Sequence, residues 1–204
     1  MIYNPKTLSN QVRELLLLSI VSPRPIAVVT TTNANRKNSD IDTNIAPFSL
    51  FNLVSIDPPI IYISVEKAKP LKRTAVNVKK AKEFVINIPN YKIAKQIIKS
   101  SSPVPLNTQD KFKLCGLTKI KSKKVKTYGI KECLIRLECK LYKTINFKNY
   151  EMFLGEIVNV YCDNSIIQKG EISIFKHKFI ARLGPKALYS KIGLPNIFKI
   201  ERYE

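Results

Sequence analysis

The chain has 204 residues, long enough for one sizeable hydrophobic core and short for two, so we expect a single domain spanning residues 1–204. A content of 45% hydrophobic and 25% charged residues, with 6 glycines and 12 prolines, excludes collagen-like, low-complexity and wholly disordered proteins. The net charge of +20 attracts polyanions. However, 28 of the 35 basic residues are lysines scattered along the chain. Specific nucleic-acid surfaces favour arginine interleaved with aromatic residues. We therefore expect no specific nucleic-acid partner.

The first predicted element is a short amphipathic helix over residues 9–20, with Ser9 or Asn10 as its amino-terminal cap. The prolines of Ser22-Pro23-Arg24-Pro25 end this helix, because neither can donate a helical hydrogen bond and each favours an extended predecessor. Residues 26–32 form a β-branched run typical of a strand, and residues 33–42 are polar without periodicity. A helix, a strand and a turn are therefore expected in this order.

Residues 44–52 are apolar and extended, and Pro47 places them at a sheet edge or in a loop. Residues 60–65 are nearly all apolar, which predicts a strand buried on both faces. Pro70 is expected to open a helix, and residues 84–88 form the next strand. The apolar stripe of that helix consists of Leu71, Ala75, Val78 and Ala81.

The second half of the chain is dominated by long strands. A short helix over residues 93–98 precedes a strand at 132–142, in which apolar and polar residues alternate, so that one face is core and the other mostly solvated. Residues 153–161 form a further strand, and residues 169–171 a turn. Because helices are short and dispersed, the pattern favours a β-barrel with peripheral helices over a parallel βαβ fold.

Motifs of several enzyme classes are absent from the sequence. The single histidine, His177, excludes multi-histidine metal sites, and no G-x-S-x-G, P-loop or G-x-G-x-x-G motif is present. His177 stands between two lysines, which favours a solvated surface position, with a role in substrate contact as the alternative. If the protein is an enzyme, a bound cofactor carries the chemistry.

Cysteine spacing and hydropathy indicate the cellular compartment. No apolar run reaches the roughly 18–20 residues that a membrane span needs, and the first residues lack the pattern of a signal peptide. The four cysteines show neither C-x-x-C nor zinc-finger spacing, which favours free thiols over disulfides or a metal site. We expect a cytoplasmic protein without membrane contact.

The predicted helix start near residue 70 is unusually basic. A helix amino terminus favours acidic residues, whereas this one carries Lys69, Lys72 and Arg73. An anion bound there would turn the repulsion into attraction, and Thr74 and Asn77, on one helix face, would assist it. The alternative is a solvated, lysine-rich helix in a lysine-rich protein.

Five segments together resemble the flavin reductase-like family with an FMN-binding split barrel. Their order and spacing are more specific than any one of them, and the resemblance is strongest over residues 12–90. They are Ser22-Pro23-Arg24-Pro25-Ile26-Ala27-Val28-Val29, Asn44-Ile45-Ala46-Pro47-Phe48-Ser49-Leu50-Phe51-Asn52, Asp57-Pro58-Pro59, Lys72-Arg73-Thr74-Ala75-Val76-Asn77 and Glu83-Phe84-Val85-Ile86-Asn87.

The resemblance implies a mainly β, six-stranded antiparallel Greek-key split barrel with peripheral helices, a homodimer and FMN as cofactor. It places Thr30, Thr31 and Thr32 near the flavin and its ribityl chain, and Ser64 near the ribityl chain. It assigns Arg73 and Thr74 to the phosphate, which agrees with the basic helix start, where Asn77 would assist. Backbone amides of the 44–49 segment would meet the flavin ring, and Ser49 would lie on the phosphate side. The residues of this segment assigned to the cofactor are Asn44, Ala46, Pro47, Phe48 and Ser49.

The function implied is an FMN-dependent NAD(P)H:flavin oxidoreductase with no catalytic side chain, because flavin N5 itself accepts hydride. Two alternatives remain open. One is an FMN-binding electron-transfer protein with little NAD(P)H activity of its own, and the other is a nucleic-acid-binding barrel. Flavin colour in the purified protein and the salt dependence of polyanion binding distinguish the nucleic-acid-binding barrel from the reductase and the electron-transfer protein.

Overall fold

The computed structural model describes residues 1–33, 43–102, 111–193 and residue 197, and antiparallel strands make up most of its regular structure. The helices are α1 (Asn10–Ile20), α2 (Arg73–Ala81), α3 (Ala94–Lys99), α4 (Lys111–Cys115) and α5 (Ile174–His177), with 3-10 turns at Tyr91–Ile93 and Asn164–Ile166. Strands of the first half are β1 (Arg24–Pro25), β2 (Ala27–Thr32), β3 (Thr43–Phe48), β4 (Phe51–Ser55), β5 (Ile60–Glu66) and β6 (Glu83–Ile88). Strands of the second half are β7 (Lys119–Ile120), β8 (Gly129–Ile130), β9 (Ile135–Asn146), β10 (Tyr150–Cys162), β11 (Ile167–Gln168), β12 (Glu171–Ile172), β13 (Ile180–Leu183) and β14 (Leu188–Lys191).

Most predicted elements are confirmed within a few residues. Helix α1 begins where expected, and the Ser9 hydroxyl accepts a hydrogen bond from the backbone N–H of Val12. The turn predicted at residues 33–42 lies, apart from Asn33, outside the described residues. Within the described ranges, no helix combines the length and the apolar character that crossing a membrane requires.

The main sheet has seven antiparallel strands in the order β3-β2-β6-β9-β10-β5-β4. Its two outer strands, β3 and β4, follow one another in the chain and are separated only by Ser49 and Leu50. Because β3 pairs with β2 and β4 pairs with β5, this bent segment joins both edges of the sheet and closes it into a barrel. The mainly β, antiparallel class is therefore confirmed. The expected six strands become seven because the bent strand is interrupted at Ser49 and Leu50.

Strand β2 is buried on both faces, whereas the sequence predicted this for residues 60–65. All six residues of β2 are buried, because Val29 contributes to the barrel interior and Val28 to a second apolar cluster outside it. On β5, by contrast, Tyr62 and Ser64 are half-buried. Helices α3 and α4 supply the second cluster, so they form a layer over the outer face of β2 and β3.

The polar face of β9, predicted to be mostly solvated, is covered at Arg136 and Glu138, whereas Lys140 is exposed. Arg136 and Glu138 are buried, at 7% and 5% exposure. The Glu138 carboxylate accepts the backbone N–H groups of Lys123 and Lys124, and the Arg136 guanidinium lies 3.7 Å from the centre of the Tyr161 ring. The prediction failed because the 121–130 segment crosses this face and supplies hydrogen-bond donors that strand periodicity does not reveal.

Helix α2 begins at Arg73, three residues after the predicted start at Pro70. Lys72 is the N-cap residue, with ψ of 130°, so the chain is still extended there, and Leu71 is 58% exposed. Burial of the helix starts with Thr74 and Ala75. The predicted apolar stripe is therefore shortened at its amino end, and residues before Lys72 form a loop instead.

A small sheet of β1, β13 and β14 brings the end of the described chain back to its beginning. Arg24 on β1 pairs with Arg182 on β13 in antiparallel register. The β1–β13 pairing places two arginines side by side.

The turn at Lys169 and Gly170 is present and joins β11 to β12, with both residues at positive φ, as a tight hairpin turn requires.

His177 is buried, which contradicts the predicted solvated position. Its exposure is 1%, and its ring centre lies 4.1 Å from that of Phe179. The flanking Lys176 and Lys178 remain exposed, so the lysine neighbours misled the interpretation. Burial lowers the pKa of His177 below its usual value, because the charged imidazolium loses hydration there.

This burial predicts a pH-dependent stability. The unfolded imidazole titrates near pH 6.5, and the folded one lower, so the unfolded state binds more protons in between. The free energy of unfolding should therefore fall as the pH decreases from about 6.5 through the lowered folded pKa. His177→Phe should flatten this dependence between about pH 7.5 and 5, as measured by denaturant titrations. Equal slopes for both proteins would contradict the prediction, since the chain has no other histidine.

Candidate functional site

A cavity of about 380 Å³, here called the basic cavity, lies where α2 begins. It is bounded by β3, the loop before α2, the first turn of α2, the end of α3 and the start of α4. Four of its described lining residues are cationic and none is acidic. They are Lys69, Lys72, Arg73 and Lys111. The cavity is therefore suited to an anionic group.

Two buried hydrogen bonds fix the start of α2 against the barrel. The Asn44 side-chain amide donates to the Thr74 hydroxyl at 3.0 Å, and the Asn77 amide donates to the Thr31 hydroxyl at 3.1 Å. All four residues are at most 8% exposed, so these bonds are shielded from water. The first turn of α2, with its backbone N–H groups, is thereby held beside β3.

Arg73 and Lys111 approach the cavity from different helices. Lys111 is 8% exposed, and burial lowers the pKa of its ammonium group; the charge of Arg73 lowers it further, while the nearby Cys115 opposes the shift. The two cations therefore repel one another in a partly desolvated place. A bound anion would relieve this repulsion and restore the pKa of Lys111.

A smaller cavity of about 160 Å³ adjoins the first, and the two share Phe48 and Ser101. We call it the Arg182 cavity. Its polar groups come from Ser49, Ser101, Arg182 and Tyr189. Its remaining walls are apolar side chains of Ile26, Pro47, Phe48, Ile97 and Ile98. The two cavities form one groove that is cationic at each end and has Phe48 between the ends.

The structure brings seven of the twelve predicted site residues to this groove. Five of them line the basic cavity, namely Asn44, Ala46, Phe48, Arg73 and Thr74. Pro47 and Ser49 line the Arg182 cavity, together with Phe48. Ser49 faces Arg182 and accepts a 3.4 Å hydrogen bond from Arg24, so it lies away from the Arg73 end, where the resemblance had placed it near phosphate.

The other five predicted residues line neither cavity. The side-chain amide of Asn77 on α2 donates to the hydroxyl of Thr31 on β2, and the Thr30 hydroxyl accepts a hydrogen bond from Asn87 in the barrel wall. Thr32 lines a separate cavity. Ser64 lies on β5 opposite Met152, and its backbone N–H donates to Leu50. These positions support the barrel and α2, and their assignment to the flavin remains a prediction.

Sequence reasoning missed two cationic residues of the groove. Lys111 is one of 28 lysines, and nothing in its spacing marks it as buried. Arg182 stands in Arg182-Leu183-Gly184, which extends the family resemblance only weakly. The scarcity of arginine was the available signal, because a chain with seven arginines among 35 basic residues places each of them selectively.

Comparisons with known proteins identify relatives of similar sequence and fold. An uncharacterized protein of Aquifex aeolicus is 34% identical over 181 residues, which cover 87% of this chain and 89% of the relative. Nitrilotriacetate monooxygenase component B from Bacillus cereus is 28% identical, with a TM-score of 0.87 and coverage of 98% of each chain. A split-barrel protein from Shewanella frigidimarina shares the fold, with a TM-score of 0.79 at 20% identity over 100% of this chain and 98% of the other.

The family model for the flavin reductase like domain matches residues 20–180. This range contains the closed barrel, α2 and the whole basic cavity. The chain therefore belongs to the flavin reductase like family and has its split-barrel fold.

Proposed function

We propose that the protein is an FMN-dependent NAD(P)H:flavin oxidoreductase. The observation that carries the proposal is the basic cavity at the start of α2, where Arg73 and Lys111 converge beside orphan helix N–H groups. Membership of the flavin reductase like family supports a flavin as the ligand. A cationic helix end of this kind suits the terminal phosphate of FMN.

The residues that line the groove fit the parts of FMN. Arg73, Thr74, Lys111 and the first N–H groups of α2 would hold the phosphate. Asn44 would face the polar ribityl chain, and the 46–48 backbone would meet the ring. FAD would add an adenosine half, and the sequence has no Rossmann motif to receive it.

The protein's own contribution is orientation and charge. When bound, the flavin supplies hydride chemistry at N5, so the protein needs no nucleophile. The described walls of both cavities contain no carboxylate, histidine or cysteine, and their ionisable side chains are lysines, arginines and Tyr189. The net charge of +20 would speed the encounter with anionic NAD(P)H. Four free cysteines, three of them buried, support a reducing compartment such as the cytoplasm.

The phosphate assignment predicts a selective loss of affinity in Arg73→Ala. The variant loses a charge-assisted hydrogen bond worth about 1.5–3 kcal/mol, so its FMN affinity should fall by about one to two powers of ten. Riboflavin lacks the phosphate and should bind the wild type and the variant almost equally. Flavin fluorescence titration of the apoprotein measures both constants.

Lys80→Ala is the matched control, because it removes the same charge from the far end of α2, outside the basic cavity. It should leave FMN affinity unchanged. Thr74→Val should weaken FMN less than Arg73→Ala, since it removes only a neutral hydroxyl. If Arg73→Ala lowers FMN and riboflavin affinity to the same extent, the phosphate is not bound at Arg73.

The proposed activity is tested by anaerobic titration of the flavin-loaded protein. NADH or NADPH should bleach the visible flavin absorption stoichiometrically, since a reductase transfers hydride to its bound flavin. Dithionite serves as the control that the flavin is reducible. Bleaching by dithionite alone would favour the electron-transfer protein, and a colourless protein that binds no flavin would contradict both functions.

We also propose a homodimer, which the surface of α1 supports. No residue of this eleven-residue helix is buried, and Val12, Leu15, Leu17 and Ile20 are each more than 40% exposed. An apolar helix face of this extent marks an interaction surface, and symmetric pairing with a second copy is the commonest way to cover one.

The homodimer predicts a light-scattering mass of twice 23.3 kDa for the flavin-loaded protein. Leu17→Lys should shift the mass toward the monomer, because it places a charge on the apolar face. Gln11→Lys adds the same charge at an exposed polar position of α1 and should leave the dimer intact. A monomeric wild type with bound flavin would rule out the proposed assembly.

A further inference from the structure

The Arg182 cavity differs in character from the basic cavity beside it. Its volume of about 160 Å³ is close to that of cavities known to hold one benzene molecule, about 150 Å³. Apolar side chains from Ile26 between β1 and β2, from β3 and from α3 surround a small number of polar groups. It therefore suits a compact apolar body that carries one polar group.

Arg182 supplies that cavity with an oriented cation. Its Nη1 donates to the Tyr189 hydroxyl at 2.6 Å, and its Nη2 donates to the Pro185 carbonyl at 3.1 Å. The guanidinium also lies 4.9 Å from the centre of the Tyr189 ring. These contacts use two of the five N–H donors, so three are left for a ligand.

A second arginine strengthens the positive potential without competing for the ligand. Arg24, 4% exposed, donates to the carbonyls of Leu18, Val21 and Gly184 and to the Ser49 hydroxyl, so its donors are largely committed. Burial lowers the pKa of Arg24, and the neighbouring charge of Arg182 lowers it further.

In the part of the chain that the structure describes, no carboxylate lies within 4 Å of either guanidinium. An anion held by Arg182 would therefore offset a repulsion that the protein itself leaves uncompensated. A planar guanidinium with free donors matches a carboxylate bidentately. Inorganic phosphate would gain nothing from the apolar walls, and it is too strongly hydrated to favour them.

We propose that the Arg182 cavity binds the second substrate of the flavin site. This substrate is a carboxylate with an apolar part about the size of one benzene ring. Arg182 is its specificity-determining residue, and Tyr189 positions the guanidinium. The inference rests on the proposed function, because the shared Phe48 and Ser101 place this ligand against whatever fills the basic cavity.

Benzoate, with benzamide as its uncharged match, is the probe. Calorimetric titration of the full-length, FMN-loaded protein at fixed ionic strength should show benzoate binding about tenfold or more tightly than benzamide, the effect of one charge-assisted contact. Arg182→Gln should reduce this ratio to about one, whereas its FMN affinity should stay within about twofold of the wild type. Benzoate should also bind more tightly than inorganic phosphate.

Lys95→Gln is the matched control, because it removes one cation from an exposed position of α3, outside both cavities, and should keep the benzoate preference. Equal binding of benzoate and benzamide by the wild type would overturn the inference, whatever the variants do. A preference kept in Arg182→Gln would also overturn it, since benzoate would then bind without Arg182. A wild type that prefers benzoate but binds no flavin would contradict the proposed function alone.

Discussion

Closure of the barrel by the bent 43–55 segment is the constraint on which the site depends. One piece of chain must pair with β2 through β3 and with β5 through β4, so its position is fixed at both ends. The bend falls at Ser49 and Leu50, and the residues just before it line both cavities. The ladder hydrogen bonds that close the barrel thus also position the groove, and Phe48, between the two cavities, has little freedom to move.

Polar residues inside the protein transmit this rigidity to α2. Asn44 on β3 holds Thr74, and Thr31 on β2 holds Asn77, one turn further along the same helix face. Helix α2 has no acidic residue in its first turn and no side-chain cap, so its own amino end is poorly stabilised. The two buried hydrogen bonds compensate for this weakness. They therefore keep Arg73 and the first-turn N–H groups at the cavity when no anion is bound.

Much of the fold was predictable from the sequence, because long alternating strands and proline-terminated segments leave clear local signals. Asn44, Arg73 and the 46–49 segment were also predictable, through the order of the family motifs. The burial of Arg136 and Glu138 was not, because segments distant in sequence cover them and strand periodicity does not report such covering. The burial of His177 was not predictable either, because its two lysine neighbours are exposed while its ring packs against Phe179. Lys111 escaped notice for a compositional reason: in a chain with 28 lysines, a functional lysine resembles its neighbours until burial distinguishes it.

The two cationic ends of the groove are built in different ways, and this difference bears on how the site works. The Arg73 end uses a helix terminus, whose N–H groups and dipole act together with side chains and favour a compact, highly charged anion. The Arg182 end uses a strand pair, and its mainly apolar walls leave the guanidinium, two serine hydroxyls and Tyr189 as the polar groups at that end. Because the bent segment spans both, the distance between the two cationic ends is set by backbone pairing and not by flexible side chains. Where two ligands occupy the groove, this fixed spacing would orient them relative to each other.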